Sequence, residues 1–102
     1  MKSEKAVVAL SALAQESRLA VFRLLLEEGG GVSAGDIAEK LGVPATTMSF
    51  HLSQLKNSGL ITSEKKGRQI IYSANKKKVK KLAGFISGKD IAEPSVDAKY
   101  QL

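Results

Sequence analysis

Two short amphipathic segments separated by Leu41-Gly42-Val43-Pro44 restrict the possible folds of this chain more than any other feature. Glycine tolerates the left-handed conformation that ends a helix, and proline is accepted at the first helical position, where no N–H partner is missed. Ser33-Ala34-Gly35-Asp36 is a variant of the capping box and precedes the apolar positions Ile37, Ala38 and Leu41. The pattern predicts a short helix, a tight turn and a second helix.

The second of these helices is predicted to have one apolar and one polar face. Met48, Leu52 and Leu55 fall on one stripe at helical spacing, which is typical of a helix packed on a core. Small polar side chains and one aromatic ring occupy the other positions: Thr46, Thr47, Ser49, Phe50, Ser53, Gln54 and Asn57. The polar face is therefore expected to meet solvent or another molecule.

Two β-rich runs, Leu60–Ser63 and Gln69–Tyr72, follow the polar helix. The residues between them, Glu64-Lys65-Lys66-Gly67-Arg68, predict a hairpin with a basic tip. Asn75 is then placed to cap a last helix that continues to Gly88. The apolar positions of that helix are Val79, Leu82, Ala83 and Ile86.

Two further helices are predicted at the start of the chain, before Gly29-Gly30-Gly31, which we interpret as a linker. The fold class is therefore mostly α with a small β-hairpin. It is a winged helix-turn-helix of five helices, with the hairpin between the fourth and the fifth. Residues 1–88 are expected to form one DNA-binding and dimerisation domain. Residues 89–102, which contain Pro94 and no periodic pattern, are expected to form a flexible tail.

The positive charge of the chain is concentrated in one stretch. The 102 residues carry a formal net charge of +6. Residues 1–60 sum to zero, residues 61–81 to +7 and residues 82–102 to −1. A local basic patch binds polyanions, although a run of lysines alone more often forms a solvated face.

Helix, turn, polar helix and basic hairpin in this order predict a DNA-binding domain, and the order favours this interpretation over a small helical bundle with a hairpin. The second helix of a helix-turn-helix enters the major groove, and a basic hairpin beside it meets the phosphate backbone. Small hydroxyl and amide groups can approach base edges closely. We expect these residues to contact double-stranded DNA: Pro44, Ala45, Thr46, Thr47, Ser49, Phe50, His51, Ser53, Gln54, Lys56, Lys65, Lys66 and Arg68.

Apolar stripes at both ends of the chain predict dimerisation. A domain this small can hardly bury both stripes by itself. We therefore expect a homodimer with these residues in its interface: Val7, Leu10, Val79, Leu82 and Ile86.

Residues 10–73 resemble the ArsR/SmtB family of bacterial winged-helix repressors. The resemblance is carried by LSALAQESRLAVFRLLLEEG in the opening helices, SAGDIAEKLGVPATTMSFHLSQLKNSGLI in the helix-turn-helix and EKKGRQIIYS in the wing. Within the family, the opening helices and Ser49-Phe50-His51-Leu52 most resemble the arsenical-resistance branch. The resemblance implies a homodimer, assembled through the first and last helices, that binds an imperfect palindrome in a promoter and releases it when an inducer binds.

The metal sites of that family are missing from this sequence. Alignment on Asp36-Ile37 puts Ser33 and Gly35 where soft-metal sensors have a Cys-x-Cys pair, and As(III) needs two or three thiolates. The chain has no cysteine, and Asn75–Gly88 holds no histidine or acid that could bind zinc between paired last helices. We therefore expect no metal and no cofactor. Carboxylates of the tail could hold a hard cation but are more simply solvated: Asp90, Glu93 and Asp97.

Two residues of the polar helix leave alternatives open. His51, the only histidine, lies one residue before core-facing Leu52 and has no second histidine or cysteine to complete a metal site. A phosphate contact or an internal hydrogen bond is therefore favoured over a role as ligand or general base. Phe50 either contacts a thymine methyl group or packs against the wing.

Other classes of function find less support. A winged-helix adaptor whose basic wing meets an acidic protein would have no need for the polar face of the fourth helix. An enzyme is not expected, because the sequence has no pairing of nucleophile and base, no phosphate-binding glycine loop and no paired carboxylates. Neither a secretion signal nor an apolar run of about 18 residues is present, so we expect a cytoplasmic protein without membrane contact.

Overall fold

The computed structural model describes residues 1–89, so the predicted tail, apart from Lys89, lies outside the described residues. The elements are α1 (Ser3–Leu13), α2 (Glu16–Glu28), β1 (Val32–Ser33), α3 (Ala34–Leu41), α4 (Ala45–Asn57), β2 (Ile61–Lys66), β3 (Gln69–Ala74) and α5 (Lys76–Ser87). The five helices and the hairpin occur in the predicted order, which confirms the fold class. No helix in the described range is both long and apolar enough to cross a bilayer.

Helices α3 and α5 begin at capping side chains that the sequence supplies. Ser33 Oγ accepts a hydrogen bond from the Asp36 N–H at 3.2 Å at the start of α3. Asn75 Oδ1 accepts one from the Lys78 N–H at 3.3 Å at the start of α5. Each bond satisfies a backbone donor that has no partner within its helix.

The core lies where α2, α3, α4 and the base of the hairpin meet, and α1 packs onto it through alanines. Its largest fully buried side chains are Val21, Leu25, Ile37, Met48, Leu52, Leu55, Leu60 and Ile61. In α1 the buried residues are Ala6, Ala9 and Ala12, whose small side chains allow close approach of the helix backbone. The outer face of α1 leaves Val7 59% and Leu10 41% exposed.

The last helix divides its apolar residues between the core and the surface. Leu82 is 5% exposed and joins the core of its own chain, whereas Ile86 is 60% exposed. The sequence assigns Leu82 to a dimer interface, but this side chain offers little surface to a partner, because it is already buried in the core of its own chain. Val79 is partly buried against the same core.

The strand β1 is an addition to the predicted elements. It pairs antiparallel with β3, so the sheet has the order β1-β3-β2, and Val32 and Ser33 lie opposite Tyr72 and Ile71. A two-residue strand is too short to show an alternating pattern in a sequence. The pairing brings Gly31, at the end of the predicted linker, against the side chain of Ile71.

Replacing Gly31 with alanine is expected to destabilise the protein by about 1 to 3 kcal/mol. The new Cβ would collide with Cγ2 of Ile71, and a β-branched side chain has little freedom to move aside. Gly30→Ala is the matched control, because nothing lies within 4 Å of the position that its Cβ would take. Urea unfolding followed by circular dichroism compares the two variants, and equal free energies of unfolding would contradict this packing.

Candidate nucleic-acid interface

The turn between α3 and α4 is held by backbone hydrogen bonds. Gly42 ends α3 with a φ of 64°, and the Val43 N–H donates to the Ala38 carbonyl at 3.1 Å. The sequence predicts Pro44 as the first residue of α4, but it precedes the helix, because its ψ of 144° is still extended. Its carbonyl accepts a hydrogen bond from the Met48 N–H at 2.9 Å. The first bond holds the turn against the end of α3, and the second begins the hydrogen bonding of α4.

The helix α4 has the apolar and polar faces that its sequence predicts. Met48, Leu52 and Leu55 are at most 1% exposed and form the inward stripe. The side chains that we call the outward face of α4 and its turn are exposed: Pro44, Ala45, Thr46, Thr47, Ser49, Phe50, Ser53, Gln54 and Lys56.

His51 belongs to the interior and not to this outward face. Its side chain is only 7% exposed, so its assignment to the DNA-contacting set is corrected. The physical reason is its spacing, since His51 lies three residues after Met48 and four before Leu55, at the edge of the inward stripe. Its Nδ1 atom is buried and has no hydrogen-bond partner among the described residues.

Phe50 is the large apolar residue of the outward face. It is 58% exposed, so the ring is not buried against the wing, which was one of its two predicted environments. Its ring centroid lies 6.1 Å from that of His51, with the planes tilted by 59°. The ring is therefore open to a ligand on the same side as the neighbouring polar residues.

The hairpin carries its predicted basic residues at its tip. Lys66 pairs with Gln69 at the end of the ladder between β2 and β3. Gly67 makes the turn with a positive φ of 61°, a conformation that favours glycine. Lys65, Lys66 and Arg68 are all exposed.

An open cleft of about 540 Å³ joins the wing to the helix-turn-helix. Ser49 of α4 and Arg68 of the wing border it together with Gln69, so the predicted contacts of both elements face one space. Gln69 is absent from the predicted set, and its position directly after the basic tip is the signal that could have found it. Asp36 and Glu39 of α3 form an acidic edge of the same cleft.

Two cations outside the outward face and the wing tip are held by acids. Lys40 Nζ donates to Glu28 Oε1 at 2.7 Å, and this hydrogen bond, together with the charge of Glu28, raises the pKa of Lys40. Arg23 pairs with Glu27 at 3.5 Å. Within residues 1–89, no basic residue of α4 or of the wing tip takes part in an ion pair, so their charges are available to a ligand.

The residue at the position of a soft-metal thiolate ligand has a structural role in this chain. Ser33 aligns with a cysteine ligand of the soft-metal sensors in the ArsR/SmtB family, and here its hydroxyl group caps α3. In the part of the chain that the structure describes, no three His, Cys, Asp or Glu side chains are grouped so that they could hold a metal ion.

Comparison with known proteins finds relatives that regulate transcription. Residues 13–64 match the model of a helix-turn-helix domain family. The transcriptional activator HlyU of Vibrio cholerae is 33% identical over 78 residues, which cover 76% of this chain and 70% of that protein. The transcriptional repressor SdpR of Bacillus subtilis is 38% identical over 64 residues, which cover 63% of this chain and 69% of that protein.

A solved structure has the same fold. It is the homodimeric winged helix-turn-helix DNA-binding domain of a possible ArsR-family transcriptional regulator from Mycobacterium bovis. The match has a TM-score of 0.70 at 27% identity and covers 84% of this chain and 78% of that chain.

The fixed helix-turn-helix, the basic wing on the same cleft and these relatives define a DNA-binding transcriptional regulator with a winged helix. The chain belongs to the ArsR family of such regulators.

Proposed function

We propose that the protein is a homodimer that binds an inverted-repeat operator and represses the gene downstream. The observation that carries the proposal is the cleft that Ser49 of α4 and Arg68 of the wing border together. A polar helix face and a basic tip on one side of a domain can contact a major groove and its neighbouring backbone at the same time. Repression requires only occupation of a promoter, which one small domain can supply.

The dimer is supported by apolar surface that the single chain leaves uncovered. Val7 and Leu10 on α1 and Ile86 on α5 are all between 41% and 60% exposed. The solved relative from Mycobacterium bovis is described as homodimeric. In such a dimer the two copies of α4 would lie about 34 Å apart, one turn of DNA, so the operator would be an inverted repeat.

The outward face of α4 and the wing tip have different roles in DNA binding. We assign base contacts to Thr46, Thr47 and Gln54, because hydroxyl and amide groups can read base edges. The exposed ring of Phe50 suits the methyl group of a thymine. Lys65 and Lys66 of the wing supply charge to phosphates and carry no sequence information.

The division can be tested once genomic fragment selection with the purified protein has returned the operator. Thr47→Ala and Gln54→Ala are each expected to cost about 1 to 3 kcal/mol of operator binding and to leave binding to random DNA unchanged. Lys65→Ala combined with Lys66→Ala is expected to weaken both complexes by similar factors and to reduce the salt dependence. Fluorescence anisotropy titrations with operator and random duplexes at several salt concentrations measure these affinities.

The exposed Thr62 of β2 provides the control, because Thr62→Ala removes a hydroxyl group that belongs neither to the outward face of α4 nor to the wing tip. This variant is expected to bind like the unchanged protein. If the wing variant weakened only the operator complex, the wing would be reading sequence and the division of roles would be wrong.

A further inference from the structure

Lysines from the two ends of the described chain meet on one surface that the recognition helix and the wing do not use. Lys2 and Lys5 of the first segment border an open cleft of about 490 Å³ together with Lys78 and Lys81 of α5. Lys77 of α5 lies on the same side of the helix, about 40° around it from Lys81. We call the set of these five residues the lysine surface: Lys2, Lys5, Lys77, Lys78 and Lys81.

The lysine surface is separate from the wing tip. The Asn75 N–H donates to the Leu60 carbonyl at 2.9 Å, and Asn75 Nδ2 donates to the Gly59 carbonyl at 3.0 Å. These bonds hold the start of α5 at the base of the hairpin. Strands of six residues, such as β2 and β3, span about 17 Å, so the tip and the lysine surface lie at opposite ends of the hairpin. The dense basic stretch of the sequence is thus divided into two surfaces.

The charges of the lysine surface are not neutralised by the fold. None of its lysines takes part in an ion pair within residues 1–89. Glu4 is the acid that shares a neighbouring cleft with Lys5 and Lys78. Lys77 and Lys78 also lie in the first turn of α5, where the helix dipole disfavours positive charge. Positive charge kept at a cost in stability is expected where it serves a contact outside the chain.

We propose that the lysine surface binds the phosphate backbone of duplex DNA at positions that α4 and the wing tip do not contact, an inference that rests on the proposed function. No arginine and no aromatic ring lines its cleft, where Met1 is the apolar residue. Protein interfaces are enriched in arginine and aromatic anchors and depleted in lysine. A set of ammonium groups without such anchors suits a polyanion of regular charge.

The test uses a pair of variants with the same change in net charge. Lys77→Gln combined with Lys78→Gln removes two charges from the lysine surface. Arg23→Gln combined with Lys89→Gln removes two charges from exposed positions elsewhere, of which Arg23 is ion-paired with Glu27. Affinity for operator and random duplexes is measured by anisotropy over a range of salt concentrations, and thermal unfolding is followed by circular dichroism.

We expect the Lys77 and Lys78 variant to bind both duplexes more weakly, with a salt slope reduced by about 0.9 for each phosphate that the protein no longer neutralises. Its unfolding temperature should be equal or higher, because cations have left the first turn of a helix. The control should retain the slope of the unchanged protein.

Three results would overturn the proposal. The first is a slope equal to that of the control, which would leave the proposed function intact. The second is a lysine variant that binds DNA more weakly and also unfolds at a lower temperature, because loss of fold would then explain the weaker binding without a lost phosphate contact. The third is an unchanged protein with no salt-dependent affinity for duplex DNA, which would remove the proposed function as well.

Discussion

Leu10→Glu is expected to convert the protein into folded monomers and to weaken operator binding by about a hundredfold or more, because the two half-sites are then no longer bound by one linked unit. Leu10 is exposed on the face of α1 that also carries Val7, away from the alanines that pack onto the core. A two-fold interface would bury the new carboxylate twice without a partner, at a cost of about 3 to 5 kcal/mol for each buried charge.

Leu19→Glu is the matched control for this substitution. Leu19 on α2 is 45% exposed, close to the 41% of Leu10, and lies outside the proposed interface. Light scattering at micromolar concentration gives the mass, anisotropy gives the affinity, and circular dichroism reports the fold. A dimeric Leu10→Glu protein with normal affinity would place the interface elsewhere.

Leu82→Glu is expected to unfold the protein. Leu82 is 5% exposed within the core of the single chain, so the substitution leaves an unpaired carboxylate there. The cost of about 3 to 5 kcal/mol is a large part of the roughly 5 to 15 kcal/mol that stabilises a domain. Thermal unfolding followed by circular dichroism should show a strongly lowered transition or none.

Ile86→Glu tests the proposed interface on the same helix without changing a core residue. Ile86 is 60% exposed, so this variant should keep its thermal transition as a monomer while losing operator affinity. If Leu82→Glu retained its stability and Ile86→Glu lost it, the orientation of α5 would be wrong.

The helix boundaries and the faces of α4 could be predicted because local chemistry determines them. Ser33 and Asn75 supply side-chain oxygens where helices begin, and Gly42 accepts the left-handed conformation where one ends. Three apolar residues at helical spacing were enough to identify the inward stripe of α4. The exposure of the predicted polar contacts followed from that stripe.

The remaining features depend on packing between distant segments. Periodicity places Leu82 and Ile86 on one apolar face of α5, and the packing of α5 on the rest of the domain decides which of them enters the core. His51 lies at the boundary of a stripe, where spacing alone does not separate buried from exposed. The lysine surface contains residues from opposite ends of the described chain. A charge count along the sequence cannot show that these residues are close in space.

The short strand β1 links the two DNA-contacting elements mechanically. Val32 pairs with Tyr72 of the wing, and the next residue, Ser33, caps α3. The wing and the helix-turn-helix are therefore anchored at adjacent backbone positions, and a rotation of α3 would carry the hairpin with it. Both elements can meet DNA as one preorganised body, so little conformational entropy remains to be lost on binding.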